Sequence, residues 1–184
     1  MKPYSILITG IGISGKSSLA KMLEEDLCGC DVNVVNKDVD WDRGALDVPD
    51  SQAYILQTPK GCDAERIHEI SFGNFDKILY CDPGVTTYLS LLANRGCAWV
   101  REGILEKGDE DVDPYSIRKT LIILRKISEY AASRSKLRQG DIRCFNNFVP
   151  GGRVRRLEPF FDSGNLLFKN YDVVLEDIVE SLHG

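Results

Sequence analysis

Two hydrophobic patterns alternate along the chain: short runs of consecutive apolar residues, and longer segments in which apolar residues recur every three or four positions. Consecutive runs of this length are typical of buried β-strands. The predicted strands cover 4–9, 32–35 and 77–81. Apolar residues at helical spacing predict amphipathic helices. The predicted helices cover 16–27, 63–71, 85–95 and 117–137.

The remaining segments have weaker patterns. The segment 98–105 fits either a strand or a short helix, because periodicity does not separate the two at that length. The segment 140–164 is long, polar and rich in arginine, which predicts a functional or mobile loop. A last apolar run at 171–175 predicts a strand that leads into a helix over 176–182.

Strands that alternate with helices predict an α/β fold of three layers, with a mostly parallel central sheet of about five strands and helices on both faces. Neither an internal repeat nor a dividing linker interrupts the 184 residues. This length suits one domain. We therefore expect a single domain over 1–184, with a lid or mobile segment around 140–164.

Composition narrows the classes of function. The balance of 43% hydrophobic and 28% charged residues is that of an ordinary globular protein. A net charge of −5 argues against stable nucleic-acid binding. Because apolar runs stay shorter than the roughly 18 residues of a membrane span, we expect no membrane partner. The six scattered cysteines are interpreted as free thiols of a cytoplasmic protein.

The segment Gly10–Ser17 reads Gly-Ile-Gly-Ile-Ser-Gly-Lys-Ser and satisfies the phosphate-loop pattern between a predicted strand and a predicted helix. Glycines let successive backbone N–H groups turn inward and form an anion nest at a helix start. Lys16 should be exposed at the loop and reach the β- and γ-phosphates, and the Ser17 hydroxyl should ligate Mg²⁺. The nucleotide-binding residues predicted here are Gly10, Ile11, Gly12, Ile13, Ser14, Gly15, Lys16, Ser17 and Ser18.

Other segments argue against several kinds of P-loop protein. The stretch Asn36–Val39 has valine where the guanine-reading motif of GTPases requires aspartate. Asp82-Pro83-Gly84 stands where a GTPase switch would have Asp-x-x-Gly. Motor and transporter ATPases need longer domains than 184 residues allow. A compact phosphotransferase remains.

The stretch 40–47 reads Asp-Trp-Asp-Arg-Gly-Ala-Leu-Asp, after the second predicted strand. Together with the phosphate loop, it resembles the small P-loop kinases, in particular the uridine kinase, nicotinamide riboside kinase and nucleoside monophosphate kinase group. That group has Asp-Trp-Asp-His-Pro-x-Ala-Leu-Asp in a segment that helps enclose the nucleoside, so Arg43 and Gly44 replace His-Pro here. The resemblance implies a catalytic aspartate after strand two, next to the phosphate-loop strand.

Carboxylates that follow strands are the candidates for proton transfer and metal binding. Asp38 follows the second predicted strand and is the candidate base, with Asp40 as its rival and a solvated turn residue as the alternative. Asp82 follows the third and is the candidate Mg²⁺ ligand, although it could simply start the turn before Pro83. Trp41 is a candidate to stack on the acceptor or to anchor its loop.

Arginines are concentrated around the predicted loop after the longest helix. Lid arginines neutralise transferring phosphates in small kinases of this type, whereas a solvated basic face is the simpler interpretation of most of them. Arg153 follows a pair of glycines that could act as a hinge and is the lid candidate. Arg95 is a candidate substrate contact. The clustered arginines are Arg134, Arg138, Arg143, Arg153, Arg155 and Arg156.

The sequence therefore predicts a cytoplasmic kinase that uses ATP or GTP with Mg²⁺ to phosphorylate a hydroxyl or phosphate of a nucleoside, nucleotide or similar metabolite, as a monomer or homodimer. Lys16 and Asp38 are its predicted catalytic residues. Two alternatives stay open. The chain could be a P-loop NTPase that acts as a regulatory or assembly module, or it could bind nucleotide without phosphorylating an acceptor.

Overall fold

A computed structural model describes residues 3–38, 52–58, 75–102, 117–148 and 152–183. Strands and helices alternate through the first half, and a short strand pair precedes the last helix. The strands are β1 (Tyr4–Gly10), β2 (Val34–Asp38), β3 (Ala53–Gln57), β4 (Lys77–Cys81), β5 (Val154–Leu157), β6 (Pro159–Asp162) and β7 (Asn165–Phe168). The helices are α1 (Lys16–Gly29), α2 (Val85–Glu102), α3 (Ile117–Phe148) and α4 (Tyr171–His183).

Five strands form a parallel sheet in the order β2-β3-β1-β4-β5. The inner strands β3 and β4 are buried along their whole length, and β1 from its second residue. Continuous apolar runs are expected when both faces of a parallel strand are covered. β6 and β7 form a separate antiparallel pair.

Helices cover both faces of the sheet. Ile6 and Ile8 of β1 pack with Leu23 of α1 and Ile178 of α4 in the main core. On the opposite face, α2 and α3 enclose a second cluster around Ile11. The α/β class with three layers and a five-stranded parallel sheet is thus confirmed, and this sheet brings the ends of β1, β3 and β4 to one edge.

The predicted strands 4–9 and 77–81 and the helix 16–27 are confirmed. β2 begins two residues later than predicted, and β3 was not predicted. The segment 98–105 was predicted to be either a strand or a short helix. Its first five residues are helical, because α2 continues to Glu102. The predicted helix 63–71 lies outside the described residues. The described cysteines Cys28, Cys30, Cys81 and Cys97 are free thiols.

Two predictions for the C-terminal third are wrong. The segment 140–164 is not one loop, because α3 continues to Phe148 and is followed by β5, β6 and the β6–β7 turn. Burial of Asp141 and Phe145, one helical turn apart, shows why tertiary packing overrides the weak helix signal around Gly140. The run 171–175 is the start of α4, not a strand, and its buried Tyr171, Val174 and Ile178 follow helical spacing.

Within the part of the chain described, no helix is both long and apolar enough to cross a membrane.

Candidate functional site

The phosphate loop connects β1 to α1 in a conformation that requires glycine at its start. Gly10 has a φ of 147°. A Cβ added there would lie 2.6 Å from the carbonyl oxygen of Cys81 and 2.8 Å from Ser14 Oγ. Residues other than glycine rarely adopt this backbone conformation, and the two neighbouring atoms leave no space for a Cβ. Gly10 therefore lets the loop turn tightly against the end of β4.

The apolar residues of the loop anchor it to α2 and α3. Ile11 is buried in a cluster with Tyr88 and Leu92, and Ile13 and Tyr130 pack against that cluster. A Cβ added at Gly12 would lie 2.7 Å from Tyr130 Cε1, so the aromatic ring contacts the loop backbone. Ile13 has a φ of 61°, which is unusual for a β-branched residue and is typical of strain held at functional sites. The loop is therefore preformed.

Lys16 is 8% exposed, and its Nζ donates hydrogen bonds to the carbonyl oxygens of Gly10 (2.9 Å) and Ile11 (3.0 Å). The prediction that this lysine is exposed at the loop is wrong. Its side chain folds back over the loop because the carbonyl oxygens of Gly10 and Ile11 accept hydrogen bonds from the ammonium group. The positive charge is held inside the phosphate loop in this arrangement.

The start of α1 is open to an anion. Gly15 precedes the helix without a side-chain cap, and the first turn contains no acidic residue. The first N–H groups of a helix lack intrahelical acceptors and carry partial positive charge. Ser14 Oγ is buried and has no hydrogen-bond partner among the described residues, while Ser17 and Ser18 are exposed. The unpartnered Ser14 hydroxyl and the N–H groups at the helix start fit a phosphate chain. The role of the Ser17 hydroxyl as an Mg²⁺ ligand stays a prediction.

Asp82 lies at the end of β4, beside the loop, and is 1% exposed. Arg138 Nε lies 2.7 Å from its Oδ1, and Arg138 Nη2 lies 2.9 Å from its Oδ2. Arg156 Nε lies 2.5 Å from the same Oδ2. Both carboxylate oxygens therefore accept hydrogen bonds from guanidinium groups. The role of Asp82 as an Mg²⁺ ligand stays a prediction.

A third arginine reaches the same turn. Arg134 Nη2 donates a hydrogen bond to the carbonyl oxygen of Pro83, and its guanidinium lies 5.5 Å from the centre of the Tyr88 ring. We call Arg134, Arg138 and Arg156 the arginine cluster. The arginines that the sequence favoured as site residues, Arg153 and Arg95, have exposed side chains. The four-residue spacing of Arg134 and Arg138 on one helix face was a signal for the pair.

Asp141 is a buried carboxylate that sequence analysis missed. It lies one turn after Arg138 on α3 and is fully buried. The Tyr80 hydroxyl donates a hydrogen bond of 3.1 Å to its Oδ2, whereas its Oδ1 has no partner among the described residues. Burial raises the pKa of Asp141 to about 7, and nearby Asp82 acts in the same direction, while the Tyr80 hydrogen bond and the Lys16 charge oppose it.

Asp38 is the last residue of β2, at the edge of the sheet. β3 lies between β2 and β1, so the expectation that strand two neighbours the phosphate-loop strand is wrong. In register, Asp38 is level with Gln57, and Gln57 is level with Ile8. Two strand spacings, about 10 Å, therefore separate Asp38 from β1. Its role as base stays a prediction, and Asp40 and Trp41 lie outside the described residues.

No protein-family model matches the chain, and no curated protein matches it in sequence. Among solved structures, the chain is similar to APE1195, with 15% identity over 73% of this chain and 96% of that chain and a TM-score of 0.42. It is also similar to "a putative kinase from chloroflexus aurantiacus j-10-fl", with 14% identity over 98% of both chains and a TM-score of 0.44. Likenesses this distant leave the function to be argued from the site itself.

Proposed function

We propose that this protein is a kinase that binds a nucleoside triphosphate, ATP or GTP, at its phosphate loop and transfers the terminal phosphate to a small-molecule acceptor. One observation carries the proposal. The Gly10–Ser17 motif lies between a buried parallel strand and an uncapped helix start, and the Lys16 ammonium is held within the loop. That combination of backbone donors, helix dipole and cation suits a triphosphate.

The residues of the loop would bind and orient the phosphates. Lys16 would exchange its bonds to the Gly10 and Ile11 carbonyls for bonds to the β- and γ-phosphate oxygens. The Ser17 hydroxyl, with Asp82 as the further candidate, would hold Mg²⁺. When bound, Mg²⁺ neutralises negative charge on the phosphate oxygens. The contacts of Ile11 and Gly12 with α2 and α3 would keep the loop in place and limit reorganisation during transfer.

The arginine cluster supplies positive charge at the same edge of the sheet. Guanidinium groups that face a transferring phosphate stabilise the charge that develops on its oxygens. Arg138 and Arg156 are paired with Asp82 at the end of β4, and β4 is the direct neighbour of β1. We infer that they turn from Asp82 to the phosphate when nucleotide binds. Arg153 remains a further lid candidate, and Arg95 a candidate contact to the acceptor.

The acceptor would be a hydroxyl or phosphate of a nucleoside, nucleotide or similar metabolite. Asp38 is the proposed base that takes the acceptor proton. It is the last residue of a parallel strand whose carboxyl end faces the same edge of the sheet as the phosphate loop, where ligands of α/β folds collect. Trp41, with Asp40, would help to enclose the acceptor.

One observation favours an alternative, a protein that binds nucleotide without phosphorylating an acceptor. Both oxygens of Asp82 are occupied by arginines, and the described residues at the end of β3, Gln57 and Thr58, bring no carboxylate next to the loop. Such a protein would bind Mg²⁺-nucleotide without acceptor-stimulated turnover. A regulatory NTPase would instead hydrolyse the nucleotide whether or not an acceptor is present.

The test is a screen of nucleosides, nucleoside monophosphates, sugars and vitamins for acceptor-dependent ADP or GDP release with Mg²⁺. Lys16→Ala should abolish turnover, whereas Lys21→Ala on the same helix, with a 75% exposed side chain, should not change it. Urea unfolding of both variants would show whether Lys16→Ala also loosens the loop. Nucleotide binding without an increase in turnover by any acceptor would favour the alternative. Full turnover by Lys16→Ala would exclude the proposed chemistry.

A further inference from the structure

The β6–β7 pair is a hairpin that lies against the phosphate loop. Its turn is formed by Ser163 and Gly164, whose φ angles of 49° and 86° suit a tight two-residue hairpin connection. Its open end is closed by Lys169 and Glu158, whose main chains share a hydrogen bond of 3.0 Å and whose side chains form an ion pair of 3.1 Å. The hairpin therefore has a defined register and position.

Opposite residues of an antiparallel pair share a face, and successive residues alternate. Pro159 pairs with Phe168, and Phe161 pairs with Leu166, so these four side chains form one face of the hairpin. Phe160 and Leu167 pair on the other face. The hairpin thus has an apolar face that can be assigned from its register.

The face with Phe161 is the one that touches the phosphate loop. A Cβ added at Gly15 would lie 3.2 Å from Leu166 Cδ2 and 3.6 Å from Phe168 Cζ. Pro159 and Phe168 are buried, and Leu166 is half-buried. Phe161, at the turn end of the same face, leaves 36% of its surface exposed. An exposed aromatic ring therefore shares a hairpin face with Leu166 and Phe168, the two side chains that lie next to Gly15 at the start of α1.

We propose that Phe161 is the platform on which the base of the bound nucleoside triphosphate stacks, a proposal that rests on the proposed function. With the phosphates held at the helix start, the nucleoside must leave the loop across an adjoining surface, and the hairpin packs beside Gly15, where an added Cβ would lie 3.2 Å from Leu166 Cδ2. An exposed aromatic ring offers a base a π-face without requiring a particular pattern of hydrogen bonds. The hairpin therefore binds the nucleoside half of the substrate, while the loop binds its phosphates.

The test measures binding of the nucleoside separately from binding of the phosphates. Dissociation constants of ATP and of inorganic tripolyphosphate, each with Mg²⁺, are measured by calorimetry for the wild-type protein, Phe161→Ala and Leu167→Ala. Leu167 is the matched control, because it is also 36% exposed and lies on the opposite face of the same hairpin. Phe161→Ala should weaken ATP binding about tenfold or more, as expected for the loss of one base–aromatic stack, and leave tripolyphosphate binding unchanged. Leu167→Ala should change neither, and Phe161→Trp should retain ATP binding.

Three outcomes would overturn the proposal. Phe161→Ala could bind ATP as the wild-type protein does, it could lose ATP and tripolyphosphate equally, or the wild-type protein could bind the two ligands equally well. In each of these cases the phosphate loop would still bind anions, so the proposed function would survive. A wild-type protein that binds neither ligand would instead overturn the proposed function together with this inference.

Discussion

Arg138 and Asp82 form a two-point ion pair across the carboxyl edge of the sheet, with Nε 2.7 Å from Oδ1 and Nη2 2.9 Å from Oδ2. The carboxylate is 1% exposed, while the arginine side chain is 29% exposed. A carboxylate this buried requires a partner, because leaving it unpaired costs several kcal/mol. The pair joins α3 to the end of β4, beside the phosphate loop.

A double-mutant cycle of Asp82→Asn and Arg138→Gln should reveal this pairing. We expect a coupling free energy of about 1–3 kcal/mol in urea unfolding, since the two side chains meet in a mostly buried setting. The coupling of Asp82 with Arg156 should stay under about 1 kcal/mol, because the Arg156 side chain is 58% exposed. Arg143→Gln, at an exposed position of α3, is the control. Additive effects of Asp82→Asn and Arg138→Gln would contradict the importance of the pair.

Gly10→Ala should destabilise the protein by about 2 kcal/mol or more, because the added methyl group meets the Cys81 carbonyl in a conformation that side chains avoid. Gly29→Ala is the matched control. It lies at the end of α1 with open space around it, and should range from neutral to about 1 kcal/mol stabilising. Free energies of unfolding from urea titrations compare the two. Equally small changes in the free energy of unfolding for both variants would mean that the backbone at Gly10 adapts to a Cβ more easily than its contacts indicate.

Asp141 should make stability depend on pH. Its folded pKa of about 7 lies above its ordinary value of 3.8, so the folded protein binds more protons than the unfolded chain between those values. The stability that protonated Asp141 contributes is therefore lost as the pH rises through 7. Asp141→Asn should be more stable relative to wild type at pH 8 than at pH 5, by an amount on the order of 2–4 kcal/mol.

Urea midpoints of both proteins at pH 5, 6, 7 and 8 check this prediction, since titrations common to both cancel in the difference. The groups that influence the pKa of Asp141 are Tyr80 on β4, Asp82 directly after β4 and Lys16 on α1. A difference in stability that stays constant from pH 5 to pH 8 would show that Asp141 ionises near its ordinary pKa.

Asp38→Asn should lower acceptor-dependent turnover by about 10²-fold or more, which is the scale of general-base loss, and should barely change nucleotide affinity. Asp40→Asn should matter less, because Asp40 is two residues further from the end of β2. Both variants are assayed with the same acceptor, and their Mg²⁺-ATP dissociation constants are measured in parallel. If Asp40→Asn is inactive and Asp38→Asn is active, Asp40 is the base. If both variants are fully active, the acceptor site lies elsewhere.

Elements that depend only on neighbours along the chain could be predicted from the amino-acid sequence. The β1 strand, the glycine loop and α1 are contiguous, so their apolar run, their glycines and their helical spacing predict them directly. The α/β class followed from the same alternation of patterns. Local pattern gave the wrong element at 171–175, because a short apolar run fits both a strand and the first turn of a helix.

Contacts between residues that are distant in sequence became visible in the folded protein. β3 lies between β2 and β1, which moves Asp38 away from the phosphate-loop strand. Arg138 and Arg156 converge on Asp82 because α3 and β5 both pack beside β4. The burial of Asp141, one turn after Arg138, likewise depends on that packing. A hydrophobic pattern records how deeply a side chain is buried, whereas these contacts depend on the order of strands and the path of the chain between them, which no local pattern contains.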